Sequence, residues 1–517
     1  MPGKLQYEAY RLGPLDITLN YFKKIIFEQR FGNWFGFLYA ILGGCFFAVV
    51  LATQGFKLGI VLIGGVVGAP FAFAAIFNPF FGVIFIISTT YFLLGIKRMV
   101  PAIPLGMFTD FMVVFLAFGV FYKNLYEKEW GFLKGAISKT VAIYMVYVFA
   151  SVFNPDASCT MCYIYTIRSM AGYMIMYFIV SYVIRTKKDI KLFIKIWIGL
   201  SLLAALYAFK QEYLGLAGYE NRWLHASEER FWLIYQWGRI RKFSFMADPT
   251  AFGICMGYSG TMVIALALGK FTRRKKIILG FIALVMFQAM LFSGTRAAFV
   301  MPVLGAAFYV MLARNKKLYI AAVIGAVMFL ALIKAPIYLG PTFKRFQSAF
   351  NASEDASFQV RLENQRMIRP WIWRHPLGGG LGATGVWGER FAPNAFLSTF
   401  PPDSGYVRVA VELGWVGLTL YMLLWIAIFK QGINSFFIIR DPVLKSIALS
   451  MLCVLFCLMV VNYPQEAIKQ LPTSLLFWVA AAVVSRAGQI DMEEQQKKIK
   501  ALKQKAKKQK AVEAPVS

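Results

Sequence analysis

Apolar runs of bilayer length recur along this chain, divided by short polar stretches. They fall near 35–53, 57–77, 80–96, 105–122, 138–153, 163–184, 190–208, 248–269, 275–293, 297–313, 317–335, 406–429, 443–461 and 471–485. A bilayer core demands roughly 20 apolar residues per helix. The pattern therefore predicts an all-α polytopic integral membrane protein with about 14 transmembrane helices, about 12 if the first runs do not cross fully. The polar pattern sets the expected organisation: a segment 1–34 ahead of the helices, helices over 35–335, a large loop over 336–405, last helices over 406–486, and a tail over 487–517.

Composition agrees. Hydrophobic residues make up 59% of 517 and charged ones 15%, with a mean hydropathy of +0.60. A soluble domain has no means of covering that much apolar surface. The net charge of +30 is distributed in a way that speaks against nucleic acid. Basic clusters fall between alternate runs, at 123–139, 185–195, 273–276, 314–317 and 430–445. This positive-inside pattern places those loops and both termini in the cytoplasm. Lys97 and Arg98 dissent by falling on the outer side, which a re-entrant pair among the first runs would explain. Met1 to Trp34 shows neither an early apolar core nor a small-residue cleavage site and reads as an amphipathic helix on the inner leaflet. The lysine-rich tail reads as frayed or resting on anionic lipid.

The loops are unequal. The cytoplasmic connections are short, whereas 209–247 and 336–405 are long and carry Trp223, Trp232, Trp237, Trp371, Trp373 and Trp387. Long loops in compact proteins are functional or disordered, and aromatic content argues against disorder. The working face is therefore expected outside the cytoplasm. Within the large loop, "SFQVRLENQRMIRPWIWRHP" has helical spacing, with Phe358, Leu362, Gln365 and Ile368 on one side.

Several chemistries drop out. No G-x-x-x-x-G-K-[ST] supports phosphate chemistry through a P-loop. The two histidines, His225 and His375, are too few for a histidine-rich metal site, and no D-x-D is present to hold a divalent metal against a nucleotide-sugar. No metal and no cofactor are expected. "GYSG" at 257–260 fits helix packing better than a serine nucleophile. Cys159 and Cys162 form a C-x-x-C in an expected outer loop, where a disulfide is open to them. Cys453 and Cys457 share a helix face as packing residues.

The outer-side arginines carry more information. "GRIRKFSFMADPTAFG" (238–253) and "LFSGTRAAFV" (291–300) bring Arg239, Arg241 and Arg296 to the same expected boundary. Each is open to two readings: an interfacial arginine snorkelling to lipid phosphate, or part of a guanidinium cluster clamping a diphosphate through bidentate bonds. "FPPDSGYVRVAVELGWVG" (400–417) places Asp403 where a hydrophobic helix begins. Asp403 reads as a helix N-cap, a catalytic carboxylate, or both. Arg408 and Glu412, four apart, are expected to pair.

These segments resemble the O-antigen ligase and O-antigen polymerase family of bacterial surface-polysaccharide assembly. "SGTRAAF" is similar to the family's serine-arginine-small segment at an outer helix turn. "RHPLGGGLGATG" (374–385) resembles its histidine-proline-leucine, glycine-rich segment. "DSGYVRVAVELGWVG" resembles its H-[NSQ]-x9-G-x-x-G signature, with Asp403 and Ser404, nine residues, then Gly414 and Gly417. Asp248-Pro249-Thr250 stands where the family carries N-P-N. One departure matters: Asp403 occupies the place of a histidine, and a carboxylate can also accept a hydroxyl proton.

The resemblance implies a membrane glycosyltransferase of the bacterial inner membrane, with an extracytoplasmic site and a role in lipopolysaccharide or exopolysaccharide biosynthesis. It would move a glycan from a polyprenyl-diphosphate (undecaprenyl-type) carrier to a glycan or lipid-core acceptor, working against membrane lipid and without nucleic acid. Arg239, Arg241 and Arg296 would hold the diphosphate, Asp403 would take the acceptor's proton, and Arg361, His375, Trp371 and Trp373 would line the glycan groove. The competing reading is a polysaccharide or lipid transporter, for which charges inside the spans, such as Asp110 and Arg168, are the supporting feature.

Overall fold

The computed structural model describes residues 38, 41–45, 48–49, 77–99, 105–236, 238–334, 346–347, 350 and 356–512. The expected amphipathic segment 1–34, most of the first two apolar runs, Trp237 and most of 336–355 lie outside them. The elements are helices α1 (Pro79–Met99), α2 (Leu105–Glu127), α3 (Ala136–Ala150), α4 (Thr160–Val183), α5 (Lys187–Tyr213), α6 (Gly218–His225) and α7 (Glu228–Ile234). A two-stranded hairpin follows, β1 (Tyr235–Gln236) and β2 (Arg239–Ile240). The remaining helices are α8 (Pro249–Ala267), α9 (Arg273–Ser293), α10 (Arg296–Ala313), α11 (Lys316–Lys334), α12 (Ala356–Arg374), α13 (Val386–Phe391), α14 (Gly405–Ile438), α15 (Pro442–Val461) and α16 (Thr473–Val512).

Every apolar run from residue 80 onward coincides with one of these helices. Ten helices among the described residues are long and apolar enough to cross a membrane; of the 14 expected runs, α4 and α11 are not among the ten, and most of the first two lie outside the described residues. The tail, expected to fray or to rest on anionic lipid, continues α16 as helix through Val512, which does not fit the fraying alternative.

The chain divides into two compact units, Met1–Phe85 with Val100–Glu129, and Ile86–Met99 with Trp130–Ser517. In the first, Phe85 meets Phe108 edge-on. In the second, α8 is the core helix. Asp248 caps it by accepting from the Thr250 and Ala251 amides, and Pro249 fills the first turn, where its missing N–H costs nothing. Every residue from Ala251 to Val263 is buried, as expected for a helix that is apolar all round.

Around α8 pack α9, α10 and α15, and α14 packs on α3 and α16. The small residues of "GYSG" serve this packing: a Cβ at Gly257 would strike Met301, and one at Gly260 would strike Phe287. Ser259 accepts from the Trp197 indole at 3.0 Å. Outer helices show the opposite pattern. On α9, Ile277, Ile278, Phe281 and Leu284 are each exposed by 59% or more, an apolar band suited to lipid. Cys457 is buried with its thiol on the Met301 carbonyl, a packing residue as expected.

Candidate functional site

Helix ends, turns and loops converge at one end of the second unit. Residues 214–236 and 238–248 form a layer with its own apolar cluster of Leu224, Ile234 and Phe243. Arg98 anchors it. The side chain is 7% exposed, donates to the carbonyls of Ser244, Met246 and Ala247, and lies over the Trp223 and Phe243 rings at 4.4 Å each. The arginine that dissented from the charge pattern is thus a buried staple whose five donors suit several carbonyls at once. Gln211 adds an acceptor for the Ser244 amide at 2.8 Å.

Above this layer, α9 ends at Gly294, whose φ of 59° closes a left-handed cap, and α10 begins at Arg296. Arg241 crosses to this turn: Nε donates to the Ser293 carbonyl at 2.8 Å and Nη2 to Thr295 Oγ1 at 3.0 Å. Thr295 in turn donates to the Pro249 carbonyl at 3.0 Å, tying the turn to the start of α8. Burial lowers the Arg241 pKa to about 10; Asp248 opposes that shift and Arg296 adds to it. Arg241 remains charged at neutral pH, and the charges of Asp248 and Arg296 both act on it. Arg239 goes elsewhere, to Glu212, which also takes Lys242 at 3.4 Å.

The two glycine-bearing motifs of the second half form one interlocked unit. α14 breaks at Gly414, where φ is 71° and ψ 179°. The 376–380 backbone enters that break: Gly379 N donates to Val411 O at 2.9 Å, Gly380 N to Glu412 O at 3.1 Å, and Val416 N to Pro376 O at 3.3 Å. A Cβ on Gly414 would lie 1.9 Å from the Pro376 carbonyl oxygen, so no side chain fits. From α3, Tyr147 donates to the Leu413 carbonyl at 2.6 Å, and just beyond it Asn154 donates to the Gly378 carbonyl at 2.8 Å. Cys159 and Cys162 are joined in a disulfide at the start of α4, where the Cys162 carbonyl closely neighbours Gly382.

This unit fixes a buried charge network. Arg408 Nε pairs with Glu412 at 2.9 Å, as its spacing predicts, and Nη1 with Glu466 at 2.8 Å. Nη2 donates to the Thr384 carbonyl at 3.0 Å, the Thr384 hydroxyl donates to Glu412 at 2.5 Å, and Lys469 reaches Glu466 at 3.4 Å. Arg408, Glu412 and Glu466 each have at least two partners, the condition under which buried charge is tolerated.

Asp403 stands just before α14. The cap of that helix is Ser404, which accepts from the Val407 amide at 3.5 Å, so the capping reading of Asp403 does not hold. Asp403 instead lines a polar pocket of about 210 Å³ with Asp248, Thr250, Gln465, Glu466 and Gln470. The Asp248 carboxylate is engaged by the α8 amides and that of Glu466 by Arg408 and Lys469. The Asp403 carboxylate has no hydrogen-bond partner among the described residues. Asp248 thus shares a pocket with Asp403, at the start of α8, where the Pro249 carbonyl accepts from Thr295 of the Arg241-bound turn.

The expected glycan-groove residues divide. Trp371 packs inward on the Ile368, Ala383, Leu397 and Val411 cluster, with His375 stacked on it at 4.1 Å. Trp373, 67% exposed, lines a separate groove of about 400 Å³ between α12 and α14, with Arg366, Arg369 and Tyr406 but neither Arg361 nor His375. Two residues apart on a helix, the tryptophans face opposite ways, so they do not form one sugar platform. Arg361 is half-buried on α12.

Glu466, Lys469 and Gln470 join the site without having been expected there. They lie in the turn between the last two helices, 58 residues from Arg408 in the case of Glu466; their only signal was a charged turn on the same side as Asp403. No group of three or more His, Cys, Asp or Glu side chains suited to a metal occurs among the described residues. No curated protein matches the chain. Residues 281–422, which span the Arg296 turn, the glycine-rich loop, Asp403 and the Gly414 break, match the family model for O-antigen ligase, and this stretch is an O-antigen ligase family domain.

Proposed function

We propose that this protein transfers a glycan from a polyprenyl-diphosphate carrier to a sugar hydroxyl at the outer face of the bacterial inner membrane, as an O-antigen ligase or polymerase. The observation that carries the reading is that two features meet the start of α8: the turn before Arg296, held by Arg241 and bonded through Thr295 to the Pro249 carbonyl, and the pocket that Asp403 shares with Asp248 and Thr250. Arg241, engaged by the 293–295 turn, supplies positive field and holds the turn, and Arg296, at the start of α10, contacts the diphosphate through its bidentate fork. The acceptor oxygen attacks the anomeric carbon and the carbon–oxygen bond to the diphosphate breaks. The acceptor's proton passes to Asp403, the one pocket carboxylate not already engaged. Charge stabilisation of the departing diphosphate is the larger contribution, and the positioned base supplies the remainder.

The surface polysaccharide of a deletion strain tests the reading by its gel ladder. Loss of all capped polymer indicates ligation, and collapse to single repeats indicates polymerisation. An unchanged ladder overturns the proposal.

A further inference from the structure

Helix α12 carries four arginines, at 361, 366, 369 and 374, against one acidic residue, Glu363. Its ion pairing among the described residues is a single long contact, Arg366 to Glu363 at 3.8 Å, with both side chains more than half exposed. Arg369 and Arg374 are exposed and have no hydrogen-bond or ion-pair partner among the described residues.

Arg366 and Arg369 edge the groove of about 400 Å³ between α12 and α14. The rest of its wall is chiefly apolar, with Ile368, Ile372, Val407, Trp415 and Leu418, and no acidic residue lines it. On the α14 side the wall continues along the helix. Trp415, Met422 and Ile426 are exposed, and with Leu418 they stand three or four residues apart, on one helix face. α14 is long and apolar enough to span a membrane. From Trp415 to Ile426 the stripe runs about 16 Å, about half of a hydrocarbon core and so the depth of one leaflet.

A basic rim beside an apolar stripe of one leaflet's depth matches a single lipid molecule. Arginine holds phosphate oxygens bidentately. Tryptophan belongs at the headgroup level of a bilayer, and Trp373 and Trp415 both line the groove. With two guanidiniums and no lining carboxylate, the matching headgroup is anionic. A neutral glycan would match neither the charge nor the stripe.

We propose that this groove binds one anionic phospholipid of the surrounding membrane, with its phosphate on Arg366 and Arg369 and an acyl chain along Trp415, Leu418, Met422 and Ile426. The groove shares no lining residue with the Asp403 pocket, so lipid binding here stands independently of glycan transfer.

The test titrates the delipidated full chain in a non-ionic detergent with fluorescent phosphatidylglycerol, and with phosphatidylcholine of the same chains. Phosphatidylglycerol binds saturably and at least about tenfold more tightly than phosphatidylcholine. An arginine near an anionic headgroup contributes about fivefold in affinity. Arg369→Ala therefore weakens phosphatidylglycerol about fivefold, and Arg366→Ala with Arg369→Ala about 25-fold. The melting temperature stays in place, because both side chains are exposed. Trp415→Ala weakens both lipids alike. Arg374→Ala removes the same charge from the same helix without touching the groove, and stays within about twofold of wild type. Equal affinity for the two lipids overturns the proposal. So does a loss in Arg374→Ala equal to that in Arg369→Ala, which marks a diffuse basic surface. Displacement of the bound lipid by glycerol phosphate, or by a polyprenyl monophosphate, at lower concentration than by unlabelled phosphatidylglycerol overturns the phospholipid as occupant.

Discussion

Replacing Asp403 by alanine separates chemistry from folding at this site. Because Ser404 caps α14, Asp403→Ala removes no cap. Asp403 shares its pocket with two other carboxylates, so its loss also relieves like-charge repulsion. Stability should move by no more than about 0.5 kcal/mol, the usual range away from special features, and in the favourable direction if at all. Ser404→Ala is the control, expected to cost about 1 kcal/mol while leaving the base in place. For Asp403→Ala and Asp403→Asn alike, transfer should fall about 10²–10⁴-fold, equivalent to about 3–5 kcal/mol of barrier. Asp403→His should recover part of it. The assay is single-turnover transfer by purified variants, with melting curves on the same samples. Wild-type transfer by Asp403→Ala would refute the assignment of the base, and a melting loss equal to that of Ser404→Ala would refute the assignment of the cap.

Arg296→Lys should lose most activity at unchanged protein levels, because an ammonium cannot reproduce the bidentate fork; unchanged turnover would reduce Arg296 to a lipid-facing anchor. Gly414→Ala should abolish folded protein, since the left-handed φ alone costs about 1–2 kcal/mol and the added carbon meets the Pro376 backbone. Size-exclusion yield checks this against Gly325→Ala, where an added Cβ finds nothing within 4 Å. Arg98→Ala should destabilise the 214–248 layer by about 1–3 kcal/mol for each carbonyl left without its donor, seen as earlier proteolysis in that layer; a wild-type cleavage pattern would contradict the staple.

The helices were legible because the bilayer demands a long apolar run for each crossing, and the Arg408–Glu412 pair was legible because four residues make one helical turn. What lay outside reach was anything set by distant segments meeting. The glycine-rich loop and the Gly414 break read as two separate motifs, yet the backbone of one completes the hydrogen bonding of the other. Arg98 read as a topological anomaly because its carbonyl partners lie 146 residues away and beyond. Glu466 carried no local pattern at all. Trp371 and Trp373 were paired by proximity in sequence, which on a helix separates rather than joins side chains.

The central claim is that this chain itself catalyses glycan transfer. The most direct measurement supplies purified protein in detergent, without any ion or membrane gradient, with a polyprenyl-diphosphate-linked glycan and a sugar-terminated acceptor, and follows the acceptor's mass. The expected result is an acceptor heavier by the glycan, with release of polyprenyl diphosphate in equal amount and loss of both in Arg296→Lys. Acceptor and donor both unchanged, with protein that is folded and monodisperse, would contradict it.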